Sequence, residues 1–313
     1  MKIGIAGAGA MGCRFGALLS ETNNEIILID RWADHIEVIN QSGLEVKSES
    51  GSKIYYLEAS YPENTIGFVD LLIIFTKTMD TEAMINSCKH LIGNNTLLLT
   101  LQNGLGHIEI LNNYVPKNRL IIGVTTYGTK LLGPGKIIAE GTGNVQAMLL
   151  NGSHSEELDS IIDLFNQSKI RTEKSDDVLH LIWKKLAFNC VLNTICTLQN
   201  QTVGSIGKYA KIDELISLIV DEIISVAHAE KIKLIKSEIL IMIKNVFPES
   251  VAGNHIPSMV QDIENRRKTE IDFLNGAIVK IARDHGINVP VNLLIYHLIK
   301  MKEENQFVSE YLK

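Results

Sequence analysis

Apolar residues follow two regimes along this chain. In the N-terminal half, short runs that are almost wholly apolar alternate with segments of helical period, the pattern of a parallel sheet flanked by helices. The runs predict strands at Lys2–Ala6, Glu25–Asp30, Asp70–Thr76, Thr96–Leu101 and Arg119–Thr126. The periodic segments predict helices at Ala10–Ser20, Ala33–Ser42, Thr81–Ile92 and Gly106–Tyr114. GLEVKSESGSKIYYLEAS reads as a hairpin turning at Glu49–Ser52, and GKIIAEGTGNVQAMLL as a second hairpin around Gly141–Gly143. From Asp177 onward nearly everything fits long amphipathic helices, at Asp177–Leu198, Tyr209–Lys231, Lys236–Val246, Met259–His285 and Val291–Glu304. Pro248, Pro257 and Pro290 punctuate them as helix boundaries should. The expected fold class is α/β, with a parallel-sheet domain over residues 1–172 followed by an all-helical domain over residues 173–313.

Composition narrows the class. The 313 residues suffice for two domains, and 45% hydrophobic with 21% charged residues is ordinary globular material. A formal net charge of -6 argues against a nucleic-acid partner, which wants clustered Lys and Arg. Cys13, Cys88, Cys190 and Cys196 form no CxxC pair, so a reducing cytoplasm is the expected home and no metal site is expected. The start, MKIGIAGAGAMG, is unlike a signal peptide, and runs such as LLIIF fall short of the ~20 residues of a membrane helix. A membrane partner is not expected.

GIAGAGAMG carries Gly7-x-Gly9-x-x-Gly12 directly after the first strand and at the start of a helix. Gly7 permits a tight turn, Gly9 lets the backbone approach a pyrophosphate, and Gly12 lets helix and strand pack closely. Ala8, Ala10 and Met11 fill the same turn, whose helix N-terminus attracts phosphate. With the second strand ending in Asp30, this order marks residues 1–172 as a Rossmann-type dinucleotide-binding domain. Asp30 would accept from ribose hydroxyls and repel a 2′-phosphate, whereas Arg31 would pair with that phosphate, so the pair leaves NAD(H) and NADP(H) both open. Lys77 and Asn103 stand just past the carboxyl ends of two later strands, the edge where ligands of such sheets gather. Lys77 can equally be a solvated loop lysine, and Asn103-Gly104 a plain turn.

One segment breaks the helical pattern chemically. In WKKLAFNCVLNT, Lys185, Asn189 and Asn193 recur every fourth residue, about 40° apart, and so form one ridge on an otherwise apolar helix. Either the ridge faces water, or a polar substrate pairs with groups whose burial would otherwise be costly. In PSMVQDIENRRKTEIDFLNGA the candidate site residues are Ser258, Asp262 and Glu270, while Glu264–Lys268 reads as a solvated charged face.

Taken together, GAGAMG, Thr76-Lys77, Gln102–Gly104, WKKLAFNCVLN and PSMVQDIENRRKTEIDFLNG resemble the ketopantoate reductases (2-dehydropantoate 2-reductases), over nearly the whole chain. The resemblance implies NADPH-dependent reduction of 2-dehydropantoate to (R)-pantoate, a step towards pantothenate and coenzyme A, in a site between a Rossmann and a helical domain. It implies Lys185 as proton donor, Asn189, Asn193 and Ser258 as substrate ligands, and Glu270 as the glutamate near cofactor and substrate. It further implies Asn103 as a residue shared by both ligands, and Lys77 and Thr129 as cofactor contacts.

Three positions depart from the family pattern. Asp30 stands where a basic residue without an acid is usual, Thr194 follows Asn193 in place of proline, and His255 replaces an asparagine three residues before Ser258. Relatives that reduce other branched 2-oxo acids, some with NADH, therefore stay in view, as does a non-catalytic dinucleotide sensor. The amphipathic helices suggest a homodimer. Ser258 and Glu270 would be about 18 Å apart on one straight helix, so Ser258 is expected in an extended segment with the helix starting later.

Overall fold

The computed structural model describes residues 1–308. The chain divides into two compact units, Met1–Gln102 with Gly106–Val178, and Asn103–Leu105 with the chain from Leu179. The first unit runs β1 (Lys2–Ala6), α1 (Ala10–Leu19), β2 (Glu25–Ile29), α2 (Ala33–Ser42), β3 (Leu44–Ser48), β4 (Gly51–Tyr55), β5 (Glu58–Ser60), β6 (Val69–Ile74) and α3 (Thr81–Cys88). It continues with β7 (Ile92–Thr100), α4 (His107–Asn112), β8 (Leu120–Thr125), β9 (Gly128–Gly133), β10 (Lys136–Glu140), β11 (Val145–Leu149), α5 (Glu156–Gln167) and β12 (Thr172–Lys174).

Eight strands form the main sheet in the order β12-β11-β8-β7-β6-β1-β2-β5. Only the β8–β11 pair in it is antiparallel. Its central strands are buried on both faces, which is why they read as unbroken apolar runs rather than as alternations. Beneath the glycine turn, Phe15 of α1 packs at ring-centroid distances of 4.8 Å from Phe75 and 5.9 Å from each of Tyr127 and Phe165.

A second sheet, β4-β3-β10-β9, contains the predicted β3–β4 hairpin, with Ser48 opposite Gly51. The second predicted hairpin is wrong. β10 pairs with β9 and β11 with β8, in different sheets, so the Gly141–Gly143 link is a crossing. The cause is tertiary. The buried Arg14 guanidinium donates to the carbonyl oxygens of Gly128, Glu140 and Gly141 at 2.5–3.0 Å, pinning the end of the β9–β10 pair to α1.

The second unit is helical: α6 (Val178–Gln199), α7 (Val203–Gly207), α8 (Ile212–Ala229), α9 (Lys236–Lys244), α10 (Ser258–Glu264), α11 (Asn275–Asp284) and α12 (Pro290–Val308). Its core is built on α8, whose Ile216, Ile219, Val220, Ile223, Val226 and Ala227 are wholly buried at helical spacing. Glu222 on the same helix accepts from the N–H groups of Val291 and Asn292, satisfying the first turn of α12.

The single helix predicted over Met259–His285 does not form. Arg266 adopts φ 52°, Arg267 N–H returns to Asp262 O at 2.8 Å and Arg266 N–H to Ile263 O at 3.1 Å, a Schellman stop built without glycine. The helix begins at Ser258 itself, with Pro257 as its extended cap, so the expectation of a later start is also corrected. Among the described residues no helix is long and apolar enough to cross a membrane. No group of three or more His, Cys, Asp or Glu there can hold a metal.

Candidate active site

The glycine turn is built for a ligand. Gly7 has φ 97°, and a Cβ there would lie 2.4 Å from Thr76 N, so only glycine fits. At Gly12 a Cβ would lie 2.0 Å from Gly7 O, which is how α1 closes onto the turn. Gly9 differs: nothing stands within 4 Å of the place its Cβ would take. It is also the N-cap of α1 and provides no side-chain cap for the first N–H groups of the helix. Ala10 and Met11, in the first turn, are partly buried. The turn thus fits a pyrophosphate by shape and by dipole.

Asp30 lies just past β2 and braces this turn. Its Oδ2 accepts from Ala8 N–H at 2.7 Å, and Oδ1 from the N–H groups of Arg31 and Trp32 at 2.7 and 3.1 Å. On the far side of Ala8, the Cys13 thiol donates to Ala8 O at 3.1 Å and accepts from His35 Nε2 at 3.3 Å. The proton sits on Nε2 because Nδ1 already accepts from Gly135 N–H at 3.0 Å. Burial pushes the Cys13 thiol up, Asp30 adding to the effect, and burial holds His35 below the usual imidazole value. Both are neutral struts.

Arg31 is exposed and its guanidinium donates to Ser87 Oγ on α3. Lys77 is partly buried at the start of a 3-10 turn after β6. Thr129, on β9, has a buried hydroxyl oxygen without a hydrogen-bond partner. Gln102 carried no assignment from the sequence, yet it ties two loops of this edge together. Its Nε2 donates to Thr76 O at 2.7 Å and Thr81 Oγ1 at 2.8 Å. A buried glutamine in a run of apolar residues was the available signal.

In the helical unit the ridge of α6 is real. Asn189 is 8% exposed, and Lys185 and Asn193 are partly buried. Lys184, next to the ridge, is engaged elsewhere by Glu238 at 2.7 Å. Thr194 is wholly buried and bonds back to Cys190 O at 2.5 Å, a role within the helix. Desolvation pushes the Lys185 ammonium down to about 8, and the Glu270 carboxylate opposes the shift, so these two groups sense each other. Glu270 sits in the irregular segment between α10 and a 3-10 turn at Ile271–Phe273.

Asn103 groups with this unit, because Leu105 N–H donates to Phe273 O at 3.0 Å and Gly104 packs directly on Phe273. Ser258 is exposed at the first position of α10 and is not part of the buried group, while the buried Asp262 pairs with Arg267 at 3.1 Å. The break after Glu264 removes the straight-helix conflict between Ser258 and Glu270.

A dinucleotide turn at the carboxyl edge of a parallel sheet, with a desolvated lysine beside a glutamate on a helical unit, defines a nicotinamide-dependent oxidoreductase. The chain belongs to the ketopantoate reductase family: the profile described as ketopantoate reductase PanE/ApbA matches residues 3–152, and that of its C-terminal part matches residues 177–303. The chain is 36% identical to the 2-dehydropantoate 2-reductase of Streptococcus pyogenes serotype M3 over 305 residues, 97% of this chain and 98% of that one. Among solved structures, a ternary D-mandelate dehydrogenase with NADH and anilino(oxo)acetate is similar at TM-score 0.94 and 35% identity, covering 98% of this chain and 99% of that one. A PanE/ApbA family ketopantoate reductase from Ralstonia eutropha JMP134 is similar at TM-score 0.89 and 27% identity, with 98% and 99% covered.

Proposed function

We propose that this chain reduces 2-dehydropantoate to (R)-pantoate with a nicotinamide dinucleotide, as its curated relatives are named to do. The observation that carries the reading is the desolvated Lys185 beside Glu270 on the same unit as Asn189 and Asn193. A reduced nicotinamide dinucleotide held by its pyrophosphate at the glycine turn would supply a hydride for the ketone carbon. Lys185, as an ammonium, stabilises charge growing on the ketone oxygen and donates the proton that completes the alcohol. Asn189, Asn193 and Ser258 orient the acid, and Glu270 holds the ammonium in its charged form near neutral pH. Gly7, Ala8, Gly9, Ala10, Met11 and Gly12 form the phosphate cradle, with Asp30, Arg31, Lys77, Asn103 and Thr129 as further cofactor contacts.

A second reading is supported by a specific pair of observations. The Asp30 carboxylate, just past β2, would repel a 2′-phosphate bound beside it, and the D-mandelate dehydrogenase similar to this chain is described with NADH and anilino(oxo)acetate. In that reading the enzyme takes NADH and a 2-oxo acid with a larger side chain. Oxidation of NADH and NADPH by purified protein, with 2-dehydropantoate and with branched and aromatic 2-oxo acids, tests both. Greatest kcat/KM on 2-dehydropantoate supports the first, and on an aromatic acid with NADH the second. No turnover on any of them alongside tight dinucleotide binding would leave a sensor.

The enzyme is read as a cytoplasmic homodimer. Four free, buried cysteines suit a reducing compartment. Leu294, Leu298 and Met301 of α12 are 60%, 38% and 57% exposed along one face, an apolar strip that a second copy would cover. Light scattering on the purified protein measures this directly.

A further inference from the structure

Glu303 stands near the end of α12 and is only 5% exposed. A carboxylate this deep is costly unless its oxygens are used. Its Oε1 accepts twice from one residue, from the N–H and the hydroxyl of Thr269, both at 2.6 Å. The Thr269 hydroxyl oxygen in turn accepts from Ile271 N–H at 3.2 Å. Glu270 is the residue between these two anchors.

The grip continues. Oε2 of Glu303 meets Lys300 Nζ at 3.1 Å, and Lys300 reaches Asp272 Oδ2 at 3.0 Å. Asp272 Oδ1 also accepts from the Tyr296 hydroxyl at 2.9 Å. Three side chains of α12 thus hold the short stretch from Thr269 to Asp272. At its far end, Phe273 O accepts from Leu105 N–H, two residues beyond Asn103. This stretch has little regular structure of its own, because the Schellman stop has already ended α10 at Glu264. Lys185, by contrast, is fixed by a long helix.

We propose that Glu303 is a positioning residue for the reduction: through Thr269 it sets where the Glu270 carboxylate stands beside the Lys185 ammonium. The proposal rests on the reading of Lys185 as proton donor. A purely structural carboxylate would contribute only stability, whereas a positioning one also controls how strongly Glu270 supports the charged lysine.

Two substitutions at Glu303 separate these roles. Glu303→Gln keeps an acceptor oxygen at the same reach, and Glu303→Asp withdraws it by about 1.5 Å, one carbon–carbon bond. The measurements are kcat across pH and the melting temperature of each full-length variant. We expect the Gln variant to retain most of the activity. The Asp variant should lose on the order of 10–10² in kcat, the scale of a misplacement of about 1 Å. Its alkaline limb should move to lower pH, because the lysine loses part of the carboxylate that holds its proton. A folded Asp variant with wild-type kcat and an unmoved limb overturns the proposal, even if it melts lower.

Glu270→Gln calibrates the readout. If its limb also stays put, the Lys185 reading fails and this proposal falls with it; if its limb moves while that of Glu303→Asp does not, only the positioning role is lost. Should Glu303→Asp not fold, Thr269→Ser keeps the hydroxyl and Thr269→Ala removes it from both Glu303 and Ile271 N–H, and the difference between them is read by the same two outcomes.

Discussion

Replacing Lys185 by Met keeps the length of an aliphatic side chain in α6 and removes its charge. Two opposite effects should follow. On the proposed assignment the reaction loses its proton donor, and kcat should fall by roughly 10²–10⁴. The fold loses a charge whose desolvation pushes its pKa from 10.5 to about 8. At about 1.36 kcal/mol per pH unit that depression corresponds to at most about 3.5 kcal/mol, and partial exposure of Lys185 brings the realised gain nearer 1–2 kcal/mol. The sign is fixed by linkage. Because the folded value lies below the unfolded one, the penalty is complete below about pH 8 and is relieved as pH rises from there towards 10.5. At pH 7 Lys185→Met should therefore melt at the same temperature or a few degrees higher, the unpaired Glu270 offsetting part of the gain, while turnover collapses. In the wild-type enzyme, kcat should fall about tenfold per unit above pH 8, where the donor loses its proton. Stopped-assay kinetics and calorimetry on the same samples give both numbers. A variant that keeps activity within about threefold of wild type, or a wild-type rate flat through pH 9.5, would refute the assignment of Lys185.

The remaining predictions concern the first unit. Gly9→Val should fold and melt like the parent, since open space awaits its side chain, yet raise the KM for dinucleotide at least about tenfold; Gly7→Ala, facing Thr76 N, should instead fail to fold soundly. Asp30→Ala should weaken both cofactors by freeing Ala8 N–H and shift the NADPH-to-NADH ratio of kcat/KM towards NADPH; a ratio unchanged within error would mean that the carboxylate only braces the turn. Glu21 is held down to about 2, first by its hydrogen bond from Lys169 and then by that from Lys53. Its contribution, about 1 kcal/mol or less after screening, is present above pH 4.5 and lost as pH falls through about 2, so Glu21→Gln should lower stability at pH 6 and be indistinguishable from the parent at pH 2.

The parallel sheet, the glycine turn and the helical second half were all legible from periodicity, because buried strands and amphipathic helices write their environment into one or two positions in every turn or pleat. The polar ridge of Lys185, Asn189 and Asn193 was legible as a ridge, but its burial was not. Asn189 is 8% exposed, and a helix alone does not say which of its faces the rest of the fold covers. The family resemblance supplied roles that spacing could not.

Sequence by itself determined the central strands of the main sheet and the long helices α6 and α8, that Gly7 and Gly12 lie in a tight turn, and that a lysine and two asparagines share one helix face. Tertiary structure alone decided where chains cross and stop. Arg14 sends β10 and β11 to different sheets, and Arg266 ends α10 in a left-handed conformation that its side chain gives no reason to expect. It also decided that Glu303, more than thirty residues from Glu270, anchors the segment on which Glu270 rides. Local pattern records the energy of a residue against solvent and its near neighbours. Hydrogen bonds between distant residues carry no period, so they become visible only once the chain has closed on itself.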